Sequence, residues 1–288
     1  MENILNISNL SKEYKNFKLD NISFSLPRGY IMGFIGANGA GKTTTIKLIM
    51  NLIRKSSGKV EIFGKDNIKH EIDVKSNIGF VYDECNYYEE LSIKDNVSIV
   101  KRFYKTWNQK QCDEYLRKFN LDSSKKVKEL SKGMKMKFAI SIALSHGADL
   151  IIMDEPTSGL DPVSRSEILE ILQEYIQDGE KSVVFSTHIT SDLEKVADYI
   201  TFINRGKLEF SMSKDEILER YKIVKGGLDI LNDDFRKKFI KIKKNSFGFE
   251  GLTNNAENIR REYVNEVIIE KATLEDIMVY TVGGELNA

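Results

Sequence analysis

Gly36–Thr44 reads GANGAGKTT and fits the spacing G-x-x-x-x-G-K-[ST] of a phosphate-binding loop. The apolar run IMGFIG (31–36) leads into it and predicts a strand, while TTTIKLIMNLI (43–53) follows with helical spacing. Glycines let backbone N–H groups surround phosphate oxygens, and the helix N-terminus adds its dipole. Because a predicted strand precedes the stretch and a predicted helix follows it, the stretch predicts a nucleotide site rather than a glycine turn that only joins strand to helix. Lys42 is placed to reach the β- and γ-phosphates, and Thr43 to offer a hydroxyl to Mg²⁺.

Two adjacent carboxylates follow the apolar run LIIM (150–153). A carboxylate at the C-terminal end of a central strand points into the crevice where ligands of such sheets bind, so Asp154 is predicted to hold the hydration shell of Mg²⁺. Glu155 is predicted to orient and deprotonate an attacking water. The alternative is a solvated strand end, which the phosphate loop upstream disfavours. His188 ends the next apolar run, SVVFSTH (182–188), and is a candidate donor to γ-phosphate oxygens.

Strand and helix patterns alternate along most of the chain. Further strands are predicted at ISFSL (22–26), KVEIFG (59–64), IGFVY (78–82) and YITFI (199–203), and further helices at FAISIALS (138–145), RSEILEILQEYI (165–176) and SDLEKVADY (191–199). The alternation, with LIIMD and SVVFS nearly all apolar, predicts a mainly parallel α/β sheet. Residues from about 84 to 148 predict a helical insertion. After Ser213, strand-like KFIKI (238–242) and EVIIE (266–270) and a helix following Thr273 predict a small α+β region.

The stretch LSKGMKMKFAISIAL (130–144) predicts a helix that Ser131 caps. Lys132, Lys135 and Lys137 crowd its start, where the helix dipole disfavours cations. Met134 occupies the third position after the cap, so no capping box forms and backbone donors are expected to stay free. This end is therefore predicted to meet an anion.

Composition excludes several classes of protein. Among the 288 residues, Lys and Arg together number 43, and Asp and Glu together also number 43. The basic run KKFIKIKK (237–244) is too short to indicate a nucleic-acid-binding surface. Cys85 and Cys112 have no metal-ligand spacing, as in a reduced cytosolic chain. No apolar run approaches the roughly 18–20 residues that cross a bilayer, so any membrane function is expected to need a partner.

GANGAGKTT, LSKGM, LIIMDEP, SGLD and STH, in this order and spacing, resemble the nucleotide-binding subunits of ATP-binding cassette (ABC) transporters over about residues 2–215. The resemblance implies a P-loop NTPase core with a mainly parallel sheet and an antiparallel β subdomain. It implies an ATPase domain at residues 1–215, with the helical subdomain at about 84–148, and a C-terminal accessory region at 216–288. The cofactors implied are ATP and Mg²⁺.

The resemblance also assigns residues. The phosphate loop would be Gly36, Asn38, Gly39, Ala40, Gly41, Lys42, Thr43 and Thr44. Asp154 would be the magnesium carboxylate, Glu155 the catalytic base and His188 the switch histidine. Tyr14 matches the aromatic that stacks on adenine, although a packing role is equally compatible with its context.

Other matches imply a dimer. Ser131 and Gly133 match the signature motif that binds the γ-phosphate held by the opposite subunit, which would be the anion expected at this helix end. Ser158 and Asp161 match the loop that communicates across the dimer. The second nucleotide-binding subunit could be an identical or a different chain.

The sequence departs from the family pattern at one single position and in one motif. Asp83 stands where a glutamine normally contacts Mg²⁺ and the attacking water. A shorter, charged side chain could still bind Mg²⁺ through water, but it adds negative charge near the phosphates, so hydrolysis is expected to be weakened or differently regulated. Lys132 and Met134 replace residues of the usual L-S-G-G-Q, a variation associated with exporters.

A separately encoded membrane subunit is the other implied partner, which places the chain at the cytoplasmic face of the membrane. The insertion carries the aromatics Tyr87, Tyr88, Phe103, Tyr104 and Trp107. They either fill its own core or line a groove for a helix of the membrane subunit. LSKGM and the ending VNEVIIEKATLEDIMVYTVGG (264–284) favour export of peptides, antibiotics or other amphiphiles over import. The alternatives are a cassette ATPase of DNA repair or translation, disfavoured by the lack of a long coiled coil or tandem cassette, and a regulatory nucleotide-binding module.

Overall fold

The computed structural model describes residues 2–84 and 86–282, so Met1, Cys85 and residues 283–288 lie outside the described part. The chain divides into two compact units, one ending at Ser211 and one beginning at Met212. Cys112 is a buried free thiol, and burial raises its pKa to about 11.

The first unit alternates strands with helices. In chain order the strands are β1 (Asn3–Glu13), β2 (Lys18–Pro27), β3 (Ile31–Ile35), β4 (Ser57–Ile62), β5 (Lys65–Asp66), β6 (Ile78–Val81), β7 (Leu150–Met153), β8 (Ser182–Thr187), β9 (Tyr199–Asn204) and β10 (Lys207–Ser213), whose last two residues lie past the boundary at Ser211. The helices are α1 (Lys42–Ile49), α2 (Glu71–Ser76), α3 (Ile93–Val100), α4 (Gln109–Lys118), α5 (Lys132–Leu144), α6 (Pro162–Tyr175) and α7 (Thr190–Val196), with 3₁₀ turns at Lys101–Phe103 and Val127–Glu129.

The main sheet has the order β10-β9-β3-β8-β7-β6, and β3 pairs in parallel with β8 and β9, as β7 does with β6 and β8. All residues of β3, β7 and β8 are buried, which explains the apolar runs of β3 and β7 and the apolar centre Val183–Phe185 of β8. The predicted mainly parallel α/β fold is confirmed. Because parallel strands end at the same edge, the segments that follow β3, β7 and β8 lie side by side.

The antiparallel sheet has the order β2-β1-β4-β5. Its strands alternate buried and exposed positions, as expected for a sheet with one face on the core. Between β6 and β7, the described residues hold α3, α4 and α5, where the helical insertion was predicted.

The second unit forms a sheet of its own. Its strands are β11 (Lys222–Gly226), β12 (Lys241–Asn245), β13 (Gly248–Thr253) and β14 (Val267–Lys271), and its helices are α8 (Lys214–Arg220), α9 (Asp233–Arg236), α10 (Ala256–Glu262) and α11 (Leu274–Val282), with a 3₁₀ turn at Leu228–Ile230. The antiparallel order β12-β13-β11-β14 is the split β-α-β arrangement. Its core includes Val224, Phe235, Phe249 and Ile259. As predicted, a helix follows Thr273, whose Oγ1 accepts from the N–H of Asp276 at 3.0 Å.

Candidate nucleotide-binding site

The phosphate loop joins β3 to α1, and its glycines are required by the backbone. Gly39 and Gly41 have φ angles of 78° and 115°, a region that residues with a Cβ rarely adopt. A Cβ on Gly36 would lie 2.3 Å from the carbonyl oxygen of Ile203. Gly41 is the N-cap of α1, and no side chain caps this end. No side chain therefore competes with a phosphate for the first N–H groups of the helix.

Lys42 points back across this loop. Its side chain is 6% exposed, and its Nζ donates to the carbonyl oxygen of Gly36 at 2.8 Å. The same Nζ lies 3.1 Å from the Glu155 carboxylate. A buried ammonium held beside the loop is placed to bind phosphate oxygens.

The paired carboxylates follow β7, as predicted, and differ in exposure. Asp154 is buried, and its Oδ1 accepts from the Ser186 hydroxyl at 2.5 Å. Glu155 has a φ angle of 49°, unusual for a non-glycine residue. Its carboxylate faces Lys42 on one side and His188 on the other, with His188 Nδ1 at 2.8 Å. Segments following three neighbouring strands thus meet at Glu155.

A cavity of about 850 Å³ opens over these residues. It is lined by Tyr14, Phe17, Ala37, Asn38, Gly39, Gly41, Lys42, Thr43, Thr44, Asp83, Glu84, Lys132, Glu155, Ser158 and His188. Most of the residues predicted from separate motifs therefore share one cavity. Tyr14, at its edge, is 48% exposed and lies 6.4 Å from the Phe17 ring, centroid to centroid.

Other predicted residues do not line this cavity. Gly36 and Ala40 are buried in the loop, and Asp154 is buried beside it. Ser131 caps α5 and accepts from the N–H of Met134 at 3.2 Å. Asp161 caps α6, and the N–H groups of Ser164 and Val163 lower its pKa. A Cβ on Gly133 would lie 3.2 Å from the Ser164 hydroxyl, so Gly133 packs at the start of α6.

The lysines at the start of α5 do not all await an anion, which corrects the sequence interpretation. Lys135 lies 2.7 Å from the Glu89 carboxylate, and Lys137 forms an ion pair with Glu167. Lys132 lines the cavity instead. Sequence reasoning found the charges but could not pair them, because their partners come from the segment before α3 and from α6.

Residues that sequence reasoning missed include Phe17 and Glu84 in the lining and Ser186 behind it. Ser186 carries no signal beyond its place two residues before His188. Lys132 was singled out from the sequence as one of three lysines at the start of α5 and as a departure from the family pattern, and it is the one of the three that lines this cavity.

The donor set fits Mg²⁺. That ion prefers oxygen ligands and usually keeps waters and substrate phosphates in its shell, so one or two protein oxygens suffice. Thr43, which carries a hydroxyl, lines the cavity at the first turn of α1, and Asp154 carries a carboxylate at the end of β7. Within residues 2–84 and 86–282, no group of three or more His, Cys, Asp or Glu side chains could hold a metal without a substrate.

A second cavity of about 370 Å³ lies at the helical insertion and includes Asp83, Glu84, Glu89, Lys132 and Lys135 in its lining. The five aromatics predicted to form either the core of the insertion or a partner surface differ in their packing and exposure. Tyr87 packs on Phe138 with ring centroids 4.7 Å apart, and Tyr104 stacks on His146. Trp107 is half-buried, whereas Tyr88 and Phe103 are 64% and 78% exposed.

A phosphate loop at the edge of a parallel sheet, followed by a buried Asp and a Glu beside the loop lysine, defines a P-loop ATPase. A family model described as ABC transporter matches residues 19–158. A bacitracin transport ATP-binding protein of Bacillus licheniformis is 33% identical over 223 residues, which cover 76% of this chain and 73% of that protein. A lantibiotic transport ATP-binding protein of Streptococcus pyogenes is 35% identical over 208 residues, which cover 71% of this chain and 89% of that protein.

Among solved structures, an ATP-binding subunit of an ABC transporter is similar with a TM-score of 0.68 at 28% identity, covering 74% of this chain and 91% of that chain. The chain therefore belongs to the family of ABC transporter ATP-binding subunits, and it binds and hydrolyses ATP. Within residues 2–84 and 86–282, no helix is both long and apolar enough to span a membrane.

Proposed function

We propose that this chain is the ATPase subunit of an exporter for peptides, antibiotics or other amphiphiles. It would dimerise with a second nucleotide-binding subunit, identical or different, and drive a separately encoded membrane subunit from the cytoplasmic face of the membrane. Residues 1–215 would form the ATPase domain and 216–288 an accessory region. Nucleic acid would not be a partner.

The observation that carries the proposal is the convergence on Glu155. The Lys42 ammonium lies 3.1 Å from one carboxylate oxygen and His188 Nδ1 lies 2.8 Å from the other. A nucleotide whose phosphates enter the loop would compete with Glu155 for Lys42, because phosphate oxygens are strong acceptors for an ammonium. Glu155 would then be free to accept a proton from an attacking water, while His188 would donate to the γ-phosphate.

Thr43 and Asp154, with Asp83 through water, are the residues we propose to hold Mg²⁺. The ion would neutralise charge on the phosphates when bound. Asp83 differs from the usual glutamine by a negative charge in the cavity lining, which supports slower or differently regulated hydrolysis. Tyr14 is half-exposed beside Phe17 at the edge of the cavity, as a residue stacking on adenine should be.

The dimer is supported by the position of the signature residues. Ser131 and Gly133 are absent from the lining of the cavity in the described part of their own chain. Each could therefore serve a nucleotide held by the other subunit, with Ser158 and Asp161 near the junction. Export is supported by the two relatives named for bacitracin and lantibiotic transport.

Glu155→Gln tests the proposal. We expect the variant to bind ATP, to lose turnover by roughly 100-fold or more because the general base is gone, and to accumulate as a dimer. Phosphate release measures turnover, and size-exclusion chromatography with ATP measures the dimer. Glu170→Gln, an exposed residue of α6, is the matched control. Full turnover in Glu155→Gln would show that Glu155 is not the base.

A further inference from the structure

Ser186 holds two neighbouring residues of the site with one hydroxyl. Its side chain is fully buried near the end of β8. The hydroxyl donates to Asp154 Oδ1 at 2.5 Å and accepts from the backbone N–H of Glu155 at 2.9 Å. The register explains the contact, because Met153 of β7 is opposite Phe185 of β8 and the next residues, Asp154 and Ser186, lie side by side.

The second of these bonds acts on a strained residue. Glu155 has a φ angle of 49°, and such a conformation persists in a non-glycine residue only when its surroundings hold it. This conformation sends the Glu155 side chain to Lys42 and His188, at 3.1 and 2.8 Å. The Ser186 hydroxyl accepts from the backbone N–H of this same residue, so it restrains the peptide group on one side of the unusual φ torsion.

The first bond acts on the carboxylate assigned to Mg²⁺. Because Oδ1 accepts from Ser186, the Asp154 carboxylate is held in one orientation. Its other oxygen, Oδ2, remains for other partners. Groups that orient a metal ligand through a hydrogen bond change metal affinity and activity when they are lost.

We propose that Ser186 is a positioning residue that sets the magnesium carboxylate of Asp154 and the catalytic base Glu155 together, an inference that rests on the roles given to both in the proposed function. Without the hydroxyl, a buried carboxylate oxygen and the N–H of Glu155 lose a partner, so both groups would sample other orientations. The two functions would therefore fail together, although Ser186 is not among the residues that line the cavity.

Ser186→Ala is the test, with Ser182→Ala as its matched control. Ser182 is equally buried in the same strand, and its hydroxyl accepts from the N–H of Gly29 at 2.9 Å. We expect Ser186→Ala to lower kcat by about tenfold or more and Ser182→Ala to leave it unchanged. Binding of a fluorescent ATP analogue is measured with Mg²⁺ and with EDTA. Ser186→Ala should keep its affinity in EDTA and lose most of the gain that Mg²⁺ gives.

Ser186→Thr, which keeps the hydroxyl, should recover most of the lost kcat. If Ser186→Ala does not fold, Ser186→Cys replaces it, since a thiol is a weak donor of similar size. A folded Ala or Cys variant with wild-type kcat and a wild-type Mg²⁺ gain would overturn the proposal, as would equal losses in Ser182→Ala. Absence of turnover in the wild-type chain would instead count against the proposed function, and the binding measurements would still test Ser186.

Discussion

The N-termini of α1 and α5 are both predicted from sequence to meet phosphate, yet they are built differently. Gly41 precedes α1 and offers no side chain, so that end has no side-chain cap. Ser131 precedes α5, and its hydroxyl accepts from the N–H of Met134 at 3.2 Å. The same interaction caps α3 through Ser92 and α4 through Asn108.

The difference separates a helix end that needs a ligand from one that does not. A glycine cap lacks the side-chain oxygen that would compete with phosphate at the start of α1. The start of α5 is an ordinary capped end whose lysines at 135 and 137 already have carboxylate partners. It is therefore stable alone and could add a contact to a phosphate brought by another chain. Substitutions at the start of α1 and at the start of α5 should therefore have different effects on the protein.

Removing the Lys42 ammonium should have the largest effect. Lys42→Ala takes from the α1 end a charged donor beside the loop, and charged hydrogen bonds contribute about 1.5–3 kcal/mol each. We expect ATP affinity and turnover to fall by about 100-fold or more, measured by nucleotide titration and phosphate release. Lys47→Ala, on the exposed side of the same helix, should change neither. If Lys42→Ala kept wild-type ATP affinity and turnover, the proposed difference between the starts of α1 and α5 would be wrong.

Acid should destabilise the far end of α5. His146 is buried just after this helix, its ring stacks on Tyr104 at 3.9 Å, and burial lowers its pKa from 6.5 to about 4. The unfolded chain binds the proton more readily, so stability present above pH 6.5 is lost as the pH falls towards 4. Between pH 7 and 4.5 this loss should be about 2.5 kcal/mol.

His146→Phe keeps an aromatic stack but does not titrate. Urea unfolding at both pH values measures the difference. We expect the variant to lose about 2.5 kcal/mol less than the wild type on acidification. Equal losses in both proteins would mean that His146 is not protonated on unfolding.

Ser131→Ala should separate the structural and the functional roles of the α5 cap. Loss of an N-cap serine lowers the free energy of unfolding by about 1 kcal/mol. Ser92→Ala, which removes the cap of α3, should show the same loss. Only Ser131→Ala should also reduce turnover, by about tenfold if one charge-assisted bond to phosphate is lost. If both variants had the same ATPase activity, Ser131 would act only as the N-cap of α5.

Asp83→Gln should have the smallest effect. It removes one negative charge from the cavity lining, and one charge at the distances of a solvated cavity contributes about 1 kcal/mol. We expect a several-fold change in kcat or in the Mg²⁺ dependence of turnover. Glu84→Gln removes an adjacent charge of the same lining and should change turnover less. Unchanged kinetics in Asp83→Gln would show that the position is unimportant.

Prediction from sequence succeeded where one strong local rule applied. The strands β3, β7 and β8 are fully buried and mainly apolar, and each was predicted because both faces of a parallel sheet exclude water. In the second unit, β11 and β13 were missed. KIVKG and GFEGLT are short and contain glycine, so their periodicity does not distinguish a strand from a turn.

By itself, the sequence determined the glycine loop, the α/β alternation and the order of the motifs, because these depend on backbone freedom and on periods of a few residues. Only the tertiary structure decided which charges meet. Glu155 lies between Lys42 and His188, 113 residues after the one and 33 before the other in the chain, and Ser186 reaches Asp154 from the next strand. Such partners are set by strand order and register, which no local pattern encodes, because a hydrogen bond depends on distance in space and not along the chain.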